Sequence, residues 1–509
     1  MNISDYRGEF TLFHSALQEE QYRQHGHHPT SNDTRANLRH IFERYADLHT
    51  LAHVRDLVEK LKDASAFEIE REGLQKLCAD ARIHYAKREA HDTESELTRC
   101  LEAARIEWKG AGIPASGVRA RIVLETDAAD RRELAARLFD SLRPCDDLKL
   151  ACNEILNETA RRLDFASYLA LRRDAENLKP ESLVAASQEL LEQTASVYYR
   201  ELARALAEYL PGVVIGEATY ADALYFRRSA QFDDYFRANR AAPLYQRAMS
   251  NLGINPAGQR NNIKLEEQTT ELPDAPSAAF AVNVPDDIRL IISRAAGVNH
   301  FAEAISEGAR AQYFGWTSSD LSARHPEFIY APDRATSEGH AALFRYFFLD
   351  AIWLAEHLGN LHPSQASEVA RFFALVELHD LRSCAAQLQI EWTEMQNGSA
   401  TEADERSQIM SEASGFHIPR GAYLWIDEEP HTGTVRLRAR LFAAQMREHL
   451  RTRHGSRWWA SSSARDELID IWNTASRYSV EELAQLTGAG ELTNFDPLIE
   501  LITKTLSEE

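Results

Sequence analysis

Apolar residues recur every three or four positions along most of the chain, which predicts a mostly α-helical protein. Two further observations support this class. Period-two alternation is confined to four short stretches, and no Gly/Ser/Pro-rich linker separates the helical segments. The 509 residues give a soft prior of about three domains, but the missing linker argues for one intertwined body.

The elements follow in chain order. Leu51, Val54, Leu57, Val58 and Leu61 share one helical face and predict an amphipathic helix over 51–61. Leu148, Ala151, Cys152, Ile155, Leu156 and Leu163 do the same over 148–163. Helices are also predicted over 183–210, 301–313, 337–358, 368–395, 437–453 and 464–477. The alternating stretches 119–124, 213–217, 278–284 and 421–426 predict a few short β-hairpins. Residues 210–216 and 255–262 read as loops, 272–277 (LPDAPS) as a turn-rich break, and 396–404 (QNGSATEAD) as a connector. This gives three regions: an N-terminal helical region 1–125, a helical wall region with short hairpins 126–290, and a region 291–509 that holds the chemistry.

Charge and cysteine usage narrow the function classes. Against 78 Asp+Glu stand 57 Lys+Arg, a formal charge of −21. A field of that sign repels phosphate backbones and anionic lipid, so neither nucleic acid nor a membrane is an expected partner. The apolar run 341–358 is broken by Arg345, Asp350, Glu356 and His357, too often to span a bilayer. Five scattered cysteines with no C-x-x-C pair read as reduced thiols, and no signal peptide is visible before Ser15. Both point to the cytoplasm. Arg451-Thr452-Arg453-His454 with Trp458-Trp459 mixes basic and aromatic residues, but reads as a helix end beside two core tryptophans.

The chemistry concentrates in 297–358, which reads as helix, loop, helix. The first helix sets Ser306 and Arg310 four residues apart on one face, with Glu307 between them. The second opens near Thr336 or Ser337 and carries Glu338 in its first turn. His300, Glu303 and Glu307 form one stripe of the first helix; with Glu338 or His340 they make a possible carboxylate/His metal set, against the plainer reading of a solvated acidic face.

This arrangement resembles the oligoendopeptidase F-like and thimet-oligopeptidase-like zinc metallopeptidases, in which an HExxH helix supplies two His ligands and a Glu base, and a Glu of a following helix is the third ligand. The five matching residues here are Ser306, Glu307, Gly308, Ala309 and Arg310. The resemblance keeps the general-base position as Glu307 and the third-ligand position as Glu338, but both His positions are lost. It continues through Ser414-Gly415-Phe416-His417-Ile418-Pro419, Tyr423-Leu424 and Leu437-Arg438-Ala439 with Phe442 and Gln445, and weakly back to about Asp130. The family's aromatic substrate loop corresponds to His431, Thr432, Gly433, Thr434, Val435 and Arg436, so the oxyanion-binding tyrosines are missing too.

The resemblance implies a helical clamshell of two halves around a deep channel, and zinc as the family's cofactor. The residues argue against that zinc. A Ser hydroxyl is not a usual zinc ligand, and an Arg guanidinium has no lone pair to give. Without the ion, Glu307 and Glu338 would face each other, and Arg310 can supply the missing positive charge by pairing with Glu338, and with Glu307. The chain therefore reads as a zinc-free, catalytically degenerate homologue whose channel can still take a peptide or a small molecule. The alternative is an active metallopeptidase, or another hydrolase, with a relocated or non-standard metal site.

Overall fold

In a computed structural model the chain is mostly α-helical, as the periodicity predicts. The structure describes residues 2–27, 31–64, 69–176, 180–255, 262–268, 276–330, 332–359, 361–397, 400–426, 431–488 and 490–507. Residues 256–261 and 269–275, most of two predicted loops, lie outside these, as do 398–399 of the connector. Among the described residues no helix is long and apolar enough to cross a membrane.

The chain forms two compact units, each assembled from three segments. The first contains residues 1–85, 234–362 and 438–497; the second contains 86–233, 363–437 and 498–509. These borders do not coincide with the contiguous division at 125 and 290 that the sequence suggests.

The strands depart most from expectation. The second unit holds an antiparallel hairpin of β1 (Arg105–Trp108) and β2 (Ala111–Pro114). The first unit holds a three-stranded sheet of β3 (Ile263–Glu267), β4 (Ala278–Asn283) and β5 (Asp287–Ile292), in the order β3-β5-β4. β5 runs parallel to β3 and antiparallel to β4, so β4 is an edge strand. Of the four predicted strands only 278–284 is one. Residues 119–124 lie in the helix Val118–Leu124, whose Val118 and Ile122 are buried one turn apart. Residues 213–217 form turns, and 421–426 follow a 3₁₀ turn at Arg420–Ala422. The central strand β5 is missed because Ile288, Leu290, Ile291 and Ile292 form a near-continuous apolar run, and such a run shows no alternation.

The long helices fall where the periodicity sets them. Leu51–Asp63, Val298–Trp316, Pro363–Asn397 and Thr432–His454 each contain a predicted segment, and Asp146–Arg162 and Pro180–Tyr209 stop one residue short of theirs. The helix predicted over 464–477 is Ser462–Trp472, and turns follow it. The larger departure is 337–358, which splits into Ala335–Arg345, a 3₁₀ turn Tyr346–Leu349 and Ala351–Leu358. Asp350 causes the break: its extended backbone ends one segment, and its side chain accepts from the amides of Ile352 and Trp353 to cap the next.

In the first unit Phe344, Phe347, Trp353, Trp458 and Trp472 form an aromatic core, so the Trp458-Trp459 pair is internal as expected. Two glycines let helices close on this core. A Cβ on Gly308 would lie 2.2 Å from the Tyr245 ring, and one on Gly339 would lie 2.6 Å from the Phe442 ring. In the second unit β1, β2 and the helices Ala128–Leu142 and Pro363–Asn397 contribute to one core that includes Ile106, Trp108, Leu138 and Ile390. Cys100 and Cys145 are joined there by a disulfide. This corrects the expectation of reduced thiols: two helical segments bring together cysteines 45 residues apart, which no spacing rule detects. Cys78, Cys152 and Cys384 are buried and form no disulfide.

Candidate functional site

The helix Val298–Trp316 and the helix Ala335–Arg345 pack together in the first unit and carry the predicted site. Glu338 lies in the first turn of the second helix, as expected. The side chains are engaged differently from a metal centre. Ser306 Oγ donates to the carbonyl of Ala302, one turn back on its own helix, at 2.8 Å. Arg310 Nη2 lies 3.3 Å from Glu307 Oε1. Glu338 is paired instead with Arg334, at 3.7 Å, and acts on Arg310 only through space. Of the two partners expected for Arg310, the structure pairs it with Glu307, one turn away on the same helix, and the expected pairing with Glu338 is corrected.

The free edge of β4 engages the carboxylates directly. Glu307 Oε2 accepts from the amide of Ala279 at 3.0 Å, and Glu303 Oε2 from the amide of Ser277 at 3.2 Å. The amide of Ala281, next along that edge, is taken by Gln18 Oε1 at 3.0 Å. Three alternate amides that would otherwise be open for strand pairing are therefore capped by side chains. Residues 303 and 307 fall one helical turn apart, and 277, 279 and 281 fall on one side of a strand, so each periodicity matches the other.

Burial and like charge set the electrostatics. Burial, and then the neighbouring Glu307, push the Glu303 carboxyl up to about 7. Burial also raises Glu307, while Arg310 and the Ala279 amide oppose the rise. Arg310 is desolvated, yet Glu307, Glu338 and Glu303 together hold it charged. The guanidinium is the compensating cation of an otherwise all-carboxylate cluster.

The zinc that the resemblance implies does not fit this donor set. Ser306 Oγ keeps its proton in a hydrogen bond to a backbone carbonyl, Arg310 offers no lone pair, and Glu307 already binds a guanidinium and an amide. The alternative set is not assembled either. His300 sits in the first turn of the helix and Glu303 is committed to Ser277. His340 is fully buried, its Nδ1 accepting from Trp472 Nε1 at 3.2 Å, its ring stacked on Tyr313 at 5.4 Å. Burial pushes it down to about 3, so it stays neutral.

The substrate-loop positions lie in the second unit. His431 precedes the helix Thr432–His454, and Thr432 to Arg436 form its opening turns, so they are not a loop. Arg436 is exposed. His431 is buried, with Nε2 2.8 Å from Glu176 Oε2 and its amide donating to Glu391 Oε1 at 2.8 Å. Although burial works against it, Glu176 and Glu391 push the imidazole up to about 9. A cleft of about 480 Å³ lies beside Glu391, lined among others by Lys149, Asn153, Asn157, Arg406 and Tyr423.

Sequence reasoning misses two features. The acceptor role of Glu303 and Glu307 depends on a strand edge that no local pattern places. A cluster of His14, Asp80 and His84 is, among the described residues, the only group of three or more such side chains with ligand atoms within 4.8 Å of one another. Its one legible trace is the i, i+4 spacing of Asp80 and His84.

The fold is mostly α-helical. It is similar to the crystal structure of M32 carboxypeptidase from Deinococcus radiodurans R1, with a TM-score of 0.62 and 12% sequence identity over 99% of each chain. At that identity the likeness establishes the fold. No family model matches the sequence, and no curated protein matches it.

Proposed function

We propose that this chain is a non-hydrolytic protein on a metallopeptidase scaffold of the type shared by M32 carboxypeptidases and oligoendopeptidase F-like enzymes, with Arg310 in the place of the zinc. One observation carries the reading: the Arg310 guanidinium sits 3.3 Å from Glu307, the residue at the general-base position. A base paired with a permanent cation and already accepting an amide proton has little left to take a proton from water. No metal-bound water can be formed from a serine and an arginine, so the nucleophile of that chemistry is missing.

What remains is binding. The capped edge of β4 disfavours a peptide that would add as a strand. The cleft beside Glu391 has the size of a small-molecule site and mixes apolar walls with a few polar groups, so a small ligand there is the function we favour. The test is cleavage of fluorogenic peptides, carboxypeptidase substrates included, by the wild type and by Glu307→Gln, each with added zinc. The reading expects no turnover from either. Turnover by the wild type that Glu307→Gln abolishes would refute it. The double variant Ser306→His/Arg310→His asks whether only the ligands were lost; it is expected to bind metal without recovering strong turnover, because the oxyanion tyrosines are missing as well.

A further inference from the structure

We infer that His14, Asp80 and His84 form a binding site for a divalent transition-metal ion of zinc type, separate from the Glu307 cluster. His14 projects from the helix Ile3–His27; Asp80 and His84 lie one turn apart on the helix Ile69–Ala103. His14 Nε2 is 3.4 Å from Asp80 Oδ1, and His84 Nδ1 is 3.2 Å from Asp80 Oδ2. Metal bonds of about 2.0–2.1 Å in tetrahedral array place neighbouring ligand atoms about 3.3 Å apart. Two of the three pairs stand at that spacing, through the two different Asp80 oxygens, and one ligand atom of each of the three residues lies within 4.8 Å of the others. His84 Nδ1 also lies 3.1 Å from the Asp80 carbonyl, a contact that ligation through this nitrogen would replace.

Two unsatisfied atoms point the same way. Asp80 is 1% exposed, and both Asp80 Oδ2 and His14 Nε2 are buried with no hydrogen-bond partner. Each has only an ion-pair contact, His14 Nε2 with Asp80 Oδ1 and Asp80 Oδ2 with His84 Nδ1. Buried polar atoms of native proteins are nearly always hydrogen-bonded, so two that are not, in one cluster, suit a ligand. The surroundings suit an ion held in a dry site. Phe13 stands edge-on to both His14 and His84, Tyr330 stacks on His14 at 5.3 Å, and His49 stacks on His84 at 4.9 Å.

The donor set fixes the metal class. Two imidazoles and one carboxylate favour zinc and its first-row neighbours; calcium and magnesium take oxygen ligands. Three protein ligands leave a position open. The ion would clamp the N-terminal helix to the Ile69–Ala103 helix, and its binding energy would add to stability.

The full-length chain, stripped with a chelator, is titrated with Zn(II) and with Co(II). The expected result is one equivalent per chain, an intense tetrahedral Co(II) visible spectrum, and a melting temperature raised by Zn(II). His14→Gln and His84→Gln should each weaken Zn(II) at least ~100-fold, more than loss of an outer-shell partner costs. Glu338→Gln should leave the titration unchanged, which separates this site from the reading of Glu307. X-ray absorption of the zinc-loaded wild type reports the ligands directly, so the test survives a variant that fails to fold. No stoichiometric uptake, a zinc shell without two imidazoles, or binding lost in Glu338→Gln but kept in His14→Gln would each overturn the proposal.

Discussion

Replacing Arg310 with methionine keeps the bulk of the side chain and removes its charge, and so tests whether the guanidinium holds the carboxylate cluster together. At 3.3 Å, two unit charges attract by about 5 kcal/mol at an effective dielectric near ~20. The Arg310 and Glu307 side chains are 26% and 13% exposed, which brings the expected value down to about 3 kcal/mol. Breaking a buried pair by removing one partner typically costs ~3–5 kcal/mol, so the two estimates agree. At about 1–2 °C per kcal/mol for a unit or chain of this size, Arg310→Met should melt ~3–6 °C below the wild type. The deficit has a pH signature. Without Arg310 the Glu303 and Glu307 carboxyls rise further, the folded state binds more protons than the unfolded state, and stability falls as pH rises. The loss should therefore be larger at pH 8 than at pH 5. Scanning calorimetry of Arg310→Met, Glu307→Gln and the double variant closes a cycle whose coupling should exceed ~1.5 kcal/mol. A melting temperature within about 1 °C of the wild type at pH 8, or a coupling near zero, would show that the guanidinium is a bystander.

Two further outcomes follow from the buried titrating groups. Glu303, raised to about 7, contributes stability that is fully present below its ordinary value and lost as pH rises through 7. Glu303→Gln keeps an acceptor for the Ser277 amide but does not titrate. It should gain up to about 3 kcal/mol on the wild type at pH 8 and nothing at pH 4.5, read from urea midpoints at the two pH values; a pH-independent difference would contradict this. His431, raised to about 9 by Glu176 and Glu391, works in the other window: its stabilisation is complete below about 6.5 and lost as pH rises through 9. His431→Gln should cost about 3 kcal/mol at pH 6 and much less at pH 10, and equal loss at both would remove the ion pair from the account.

The sequence by itself determined the helical class and the long helices. Helices repeat every 3.6 residues, so a helix such as Pro363–Asn397 is written in its own letters. The residues of the proposed site are equally local: Ser306, Glu307 and Arg310 fall within one turn of a helix and can be read without coordinates. Tertiary structure alone decided the partners. Arg310 is free by spacing to reach either carboxylate, and only the packing of two helices directs it to Glu307 and leaves Glu338 to Arg334. The capped edge of β4, the Cys100–Cys145 bond and the meeting of His14 with Asp80 and His84 join residues from 26 to 263 positions apart. Nothing in a local window records which distant groups burial will force to satisfy one another, because that choice is made by the whole fold excluding water.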